Sequence, residues 1–257
     1  MSYSVKLCFI WLCALVFAGC GKGPAGPAGS QGSQGNPGSP SYTVVFQNGN
    51  LPDSGYSGAD SHWLDGSNPT TVPGTGAIQV ATGSTTSSVA LGLIRFDLSY
   101  LNGLPTNANI TSASLQLTTD TTGSLSSGTY VLGAHQVIEP PAGNVVWNDT
   151  ASWDVIYSPF GWNGGSSSPI AAGVDYGSTP LDTVTFTSSS VNGSARLLAW
   201  NIPPSLAQLW TSSSNPNFGF LLSFEPETGS LSGFISFVDD TGSVTERPKL
   251  VVEYIVP

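Results

Sequence analysis

From Ser41 to the C-terminus, short apolar runs alternate with clusters of Gly, Ser, Thr, Asn and Pro. The runs Tyr42–Gln47, Ala77–Ala81, Leu91–Leu98, Ser112–Thr118, Tyr130–Ile138, Val184–Thr187, Phe218–Phe224, Gly233–Phe237 and Lys249–Val256 each predict a strand. Several alternate cleanly. Ala113, Leu115 and Leu117 interleave with Ser112, Ser114 and Gln116, which buries one face and wets the other. One stretch breaks the pattern: prolines open 203–210, and Leu206, Leu209 and Trp210 then share a helical face. Many short strands separated by turn chemistry predict an all-β fold, an antiparallel β-sandwich or jelly roll with one short helix, over residues 41–257.

The first forty residues follow other rules. Lys6 precedes an unbroken apolar run from Leu7 to Ala18, with small residues next, which is the layout of an export signal over residues 1–19. That run is shorter than the ~20 residues a membrane-spanning helix needs. Phe17-Ala18-Gly19-Cys20 resembles a bacterial lipobox, in which the cysteine is acylated and becomes the new N-terminus. Gly21 after it is, by the same resemblance, compatible with outer-membrane sorting. Six Gly-x-y triplets then run from Gly23 to Pro40. They read either as a short collagen-like homotrimer or as an extended spacer of about 55 Å at ~3.1 Å per residue on a monomer. Residues 20–40 are therefore expected to hold the domain away from a membrane, at the outer membrane or cell surface.

Composition narrows the chemistry. Cys8 and Cys13 lie in the leader and Cys20 is the lipidation candidate, so the folded part has no cysteine for disulfides, thiolate catalysis or metal thiolates. His62 and His135 are the only histidines, which rules out a three-histidine zinc site. After Pro40 four bases (Arg95, Arg196, Arg247 and Lys249) face sixteen acids. No basic stripe exists to neutralise phosphates, so nucleic acid is not an expected partner. The same deficit argues against gripping a polyanion through ion pairs.

Several phrases resemble a known family. Leu93-Ile94-Arg95-Phe96-Asp97-Leu98-Ser99 followed by Ile110–Leu117, then Val146-Trp147-Asn148-Asp149, Ala171–Tyr176 and the closing Arg247-Pro248-Lys249-Leu250-Val251-Val252-Glu253-Tyr254 are similar, in order, to segments of DNRLRE domains. Those are β-sandwich modules related to carbohydrate-binding module family 96. The resemblance covers nearly all of residues 42–257. It implies a non-catalytic module of exported bacterial proteins, often found beside polysaccharide-active enzymes. Some relatives bind alginate-like acidic glycans, a ligand that the few bases here disfavour.

Candidate sites follow from residue type and setting. Trp63, Trp153, Trp162, Tyr157 and Tyr176 lie in stretches rich in Gly, Ser and Asn, near Asn163 and Asp175. Exposed aromatics can stack on the C–H face of a sugar ring while amides and carboxylates bind its hydroxyls. The alternative is that these aromatics plug the end of the sandwich, which is the reading favoured for Trp147. Arg95 and Asp97 flank Phe96 and are expected to face outward into structural ion pairs, with Asp239 or Asp240 as partners for Arg95; Arg247 is expected to pair similarly. Asp53, Asp60 and Asp65 are weak candidates for a structural calcium, in loops without EF-hand spacing. No other cofactor is implied. No Gly-x-Ser-x-Gly elbow accompanies a histidine and no carboxylate pair stands out, so catalysis is not expected. The leading expectation is a surface-anchored module holding carbohydrate or extracellular matrix. The alternative is an assembly protein with no sugar ligand.

Overall fold

The computed structural model describes residues 39–138, 146–157, 160–162, 169–211 and 217–257, all within the unit Ser39–Pro257. The leader, Cys20 and the triplets as far as Gly38 lie outside the described residues, as does Asn163; Tyr157 is described by its backbone alone.

The fold is all-β in class, antiparallel strands with one short α-helix. In chain order the strands are β1 Ser41–Phe46, β2 Ala59–Asp65, β3 Ile78–Thr82, β4 Ala90–Phe96, β5 Asn109–Thr118, β6 Ser124–Leu125 and β7 Thr129–Gln136. They continue as β8 Val155–Tyr157, β9 Phe160–Gly161, β10 Asp182–Thr187, β11 Leu197–Ile202, β12 Phe220–Phe224, β13 Gly233–Phe237 and β14 Lys249–Ile255. One sheet has the order β1-β14-β5-β11 and a longer one the order β10-β7-β12-β4-β3-β13-β6. Strand β2 runs beside β4 from Ala59↔Phe96 to Asp65↔Ala90, whereas β3 meets β4 only at Ala81↔Ala90. Every pairing between these strands is antiparallel.

The two sheets enclose one core. Val44 and Phe46 of β1, Ala113, Leu115 and Leu117 of β5, and Leu250 and Val252 of β14 meet Ile94, Phe96, Phe220, Leu222, Phe224 and Phe237 of the long sheet. Each set obeys the period of two that puts alternate side chains on one face. Trp200 of β11 is fully buried, and its Nε1 crosses to donate to Leu132 O of β7 over 2.9 Å. Close approach inside the sandwich needs a glycine in β4. A Cβ on Gly92 would sit 2.9 Å from Ile78 Cγ2.

Strand β4 is buried on both faces, as its continuous apolar run requires. Gly92, Ile94 and Phe96 point inward, while Leu91 and Leu93 point outward into a second apolar cluster. That outer cluster is closed by Trp147, Trp153, Ile156, Trp162, Ile170 and Tyr176. The described parts of the long β7–β10 connection thus pack as an apolar cover over the middle of the long sheet.

All nine strands predicted from periodicity are present, with ends shifted by a few residues. Two substantial strands, β2 and β11, lie where no strand was predicted. The helix α1 Pro204–Leu209 forms as expected with Pro204 in its first turn, but it turns a different face inward. Leu206, Ala207 and Trp210 enter the core, and Leu209 is 53% exposed.

Candidate functional site

Trp63 is the sequence-predicted aromatic that the fold leaves in an open groove. It lies on β2, and its side chain is half-buried, resting partly on the main core. Its Nε1 donates to Gly74 O over 3.2 Å, which orients the indole beside the 74–77 segment. The groove has a volume of about 490 Å³ and is lined also by Gln79, Asp120, Thr122 and Phe234. Gln79 alternates with the buried Ile78 and Val80 on β3, so the strand's pleat sends it outward. On β13, Ile235 and Phe237 enter the core and Phe234 is left on the groove side. Asp120 is held in place by both oxygens. Oδ1 accepts from the Thr122 N–H at 2.6 Å and hydroxyl at 2.7 Å, and Oδ2 accepts from Ser236 Oγ at 2.6 Å.

A second cleft, of about 420 Å³, lies where β2 begins and is lined by Asp53, Tyr56, Asp97 and Tyr100. Tyr100 is 56% exposed, whereas Tyr56 donates to Asp97 O over 3.0 Å. Burial, reinforced by Asp97 and Asp60, pushes the Tyr56 phenol far above its ordinary range. Neither cleft is lined by Lys or Arg.

The other aromatic candidates with described side chains, Trp153, Trp162 and Tyr176, are placed differently, and the stacking expectation is corrected for them. Trp162 is 1% exposed and its Nε1 donates to Ser152 O over 2.9 Å. Trp153 and Tyr176 are likewise buried in the outer cluster, and Asp175 is buried beside them. The Asp175 carboxylate accepts the Ala171 N–H at 2.8 Å, and burial raises it above the ordinary carboxylate value. Tyr176 donates to Glu227. These groups are spent on closing the apolar cover, because a two-sided sheet needs a second apolar layer. Trp147 is buried too, its Nε1 donating to Phe218 O over 2.8 Å.

The ion-pair expectations also change. Arg95 pairs with Asp60, its directly opposed neighbour on β2, and not with Asp239 or Asp240. Its guanidinium carbon lies 5.9 Å from the Trp147 ring centroid, within cation–π reach. Burial raises Asp60 even though Arg95 opposes that shift. Asp240 is held instead by the N–H of Ser61 at 3.1 Å and by the Ser61 hydroxyl, and Asp239 accepts the Gly76 N–H at 2.9 Å. Asp97 forms no ion pair among the described residues. It caps the turn at Ser99, accepting that N–H over 2.8 Å. Among the described residues Arg247 also has no carboxylate partner: it donates to the carbonyls of Gly242, Asn48 and Thr241, which ties the turn before β14 to the end of β1.

The calcium candidates are not brought together. Asp53 caps Gly55 at 2.8 Å, Asp60 is engaged by Arg95, and Asp65 accepts from Ser67 and Asn68. Asp60 and Asp65 stand on a strand and not in a loop. Among the described residues no group of three or more His, Cys, Asp or Glu is placed to hold a metal ion.

Gln79, Asp120, Thr122 and Phe234 were not singled out from sequence. For Phe234 a signal existed: within Gly233–Phe237 it falls on the opposite face from Ile235 and Phe237, which marks an aromatic outside the core. In comparisons with known proteins, no family model matches the chain and no curated protein matches it.

Proposed function

We propose that residues 41–257 form a non-catalytic carbohydrate-binding module of the DNRLRE type, carried on an exported, lipid-anchored protein. The observation that carries the reading is the Trp63 groove. It combines a partly buried indole and a second aromatic, Phe234, with an amide, a fixed carboxylate and a hydroxyl from Gln79, Asp120 and Thr122. That pairing suits a sugar, which offers an apolar C–H face and a rim of hydroxyls. The groove is open, so it accommodates the interior of a chain. Its single charged lining residue, Asp120, disfavours uronates and favours neutral glycans.

Electrophoresis of the mature chain through native gels containing neutral or acidic polysaccharides tests this reading. Retardation by at least one neutral polymer, abolished in Trp63→Ala, supports it; equal mobility in every gel refutes it. The anchor is tested separately. Cys20→Ser is expected to move the protein from the detergent phase to the aqueous phase.

A further inference from the structure

The outer face of the long sheet carries a buried polar chain that the apolar cover does not require. His135 on β7 and Ser223 on β12 are 2% and 0% exposed. Both reach one oxygen of Glu225. His135 Nε2 lies 2.7 Å from Oε1, and the Ser223 hydroxyl donates to the same atom over 2.9 Å. Ser223 Oγ is also 3.0 Å from Nε2, which closes the triangle. On the far side of the ring, Nδ1 donates to Gly177 O over 2.6 Å, because a carbonyl oxygen only accepts. Tyr176 packs edge-on against the imidazole, with centroids 5.4 Å apart.

Apolar side chains of the same shape would fill this space without desolvating an imidazole and a hydroxyl. What the polar chain accomplishes is to fix Glu225. Its Oε1 takes both bonds, and Oε2 is left with no hydrogen bond to any described residue. Glu225 lines a cleft of about 300 Å³ between the start of β7, the end of β12 and the 226–231 turn. Tyr130, Val131, Phe224 and Leu231 supply apolar walls. The Tyr130 hydroxyl is committed to Ser126 and Ser232, so the cleft meets this residue as a ring. Glu225 is the one charged side chain in the lining; its Oε1 pairs with the His135 imidazole behind it, and no Lys or Arg lines the cleft. The volume sits at the lower end of small-molecule pockets, about 300–1,000 Å³, which suits one ring and not a polymer.

We propose that this cleft is a small-ligand site, separate from the Trp63 groove, for a molecule with an apolar ring and one N–H or O–H donor accepted by Glu225. An NMR titration of the mature chain with benzyl alcohol, benzylamine and benzoate tests it. The alcohol or the amine should shift the backbone amides of Val131, Glu225 and Leu231, and benzoate should not. A stronger response to the amine identifies a cationic donor, and a stronger response to the alcohol a neutral one. Thr129→Trp, at an exposed position in the lining, should block the cleft and abolish the shifts without changing the melting temperature. Glu225→Gln should weaken amine binding at least tenfold. The proposal is overturned if neither donor shifts these amides, if benzoate binds as well as they do, or if the shifts persist in Thr129→Trp.

Discussion

Replacing Trp162 by alanine separates a core residue from a ligand platform. The indole is 1% exposed, packs in the cover over β2, β4 and β12, and donates to the carbonyl of Ser152, itself 1% exposed. Truncating a buried tryptophan costs about 3–5 kcal/mol in lost burial and residual cavity. Leaving the Ser152 carbonyl without that donor adds about 1 kcal/mol. A net loss of about 5 kcal/mol follows. At about 2–4 °C per kcal/mol for a domain of this size, the melting temperature should fall by about 15 °C. Circular dichroism melting of the mature chain measures it, and polysaccharide retardation well below the transition should be unaffected. A melting temperature within about 2 °C of wild type, on the same scale, together with lost retardation, would refute the placement of Trp162 in the core.

Three further outcomes follow from the same geometry. Gly233 has φ +122°, and a Cβ there would sit 2.2 Å from Ser124 O, so Gly233→Ala should push β13 away from β6. Strain of that kind costs about 2 kcal/mol or more, and an unchanged urea midpoint would contradict it. Burial, helped by Asp239 and Asp60, outweighs the bonds from Ser61 and raises Asp240 above 3.8. The folded state therefore holds that proton more tightly than the unfolded chain, and the group's stabilising contribution is lost as pH rises through its folded pKa. Wild type should accordingly gain stability over Asp240→Asn as pH falls from about 7 toward 3.8, and a pH-independent or reversed difference would refute the assignment. Finally, sedimentation of the mature chain with and without residues 21–40 should give a monomer in both forms if the triplets act as a spacer. A trimer that dissociates on deletion would establish the collagen-like alternative.

Strands whose two faces differ sharply were readable from the chain. In β5 the alternation of Ala113, Leu115 and Leu117 with Ser112, Ser114 and Gln116 specifies one buried face, and the structure buries it. Strand β2 was not readable. Its sequence Ala-Asp-Ser-His-Trp-Leu-Asp looks like a polar loop, yet its polar residues Asp60, Ser61 and His62 have partners supplied by other parts of the chain. Asp60 takes Arg95, Ser61 takes Asp240, and His62 Nε2 meets Ala151 O at 2.9 Å. Long-range partners of that kind leave no local signature. The tryptophans misled for a related reason. Gly- and Ser-rich surroundings suggest exposure, but Trp153 and Trp162 cover Leu91, Leu93 and Leu221. The apolar outer positions of β4 were the clue, since a strand that is apolar on both faces needs cover on both. Trp63 differs because the groove beside it is open and shared between Phe234 and the polar Gln79, Asp120 and Thr122, so nothing closes over the indole completely.

The most direct test of the carbohydrate reading is calorimetric titration of the mature wild-type chain and Trp63→Ala with the neutral polysaccharide that retards it in gels, with both melting temperatures recorded. Wild type should bind measurably and Trp63→Ala should not, while the variant's melting temperature stays within a few degrees because that indole is only half-buried. Wild-type binding that Trp63→Ala retains in full would contradict the assignment of the groove, and absence of binding to every neutral polysaccharide would contradict the function itself.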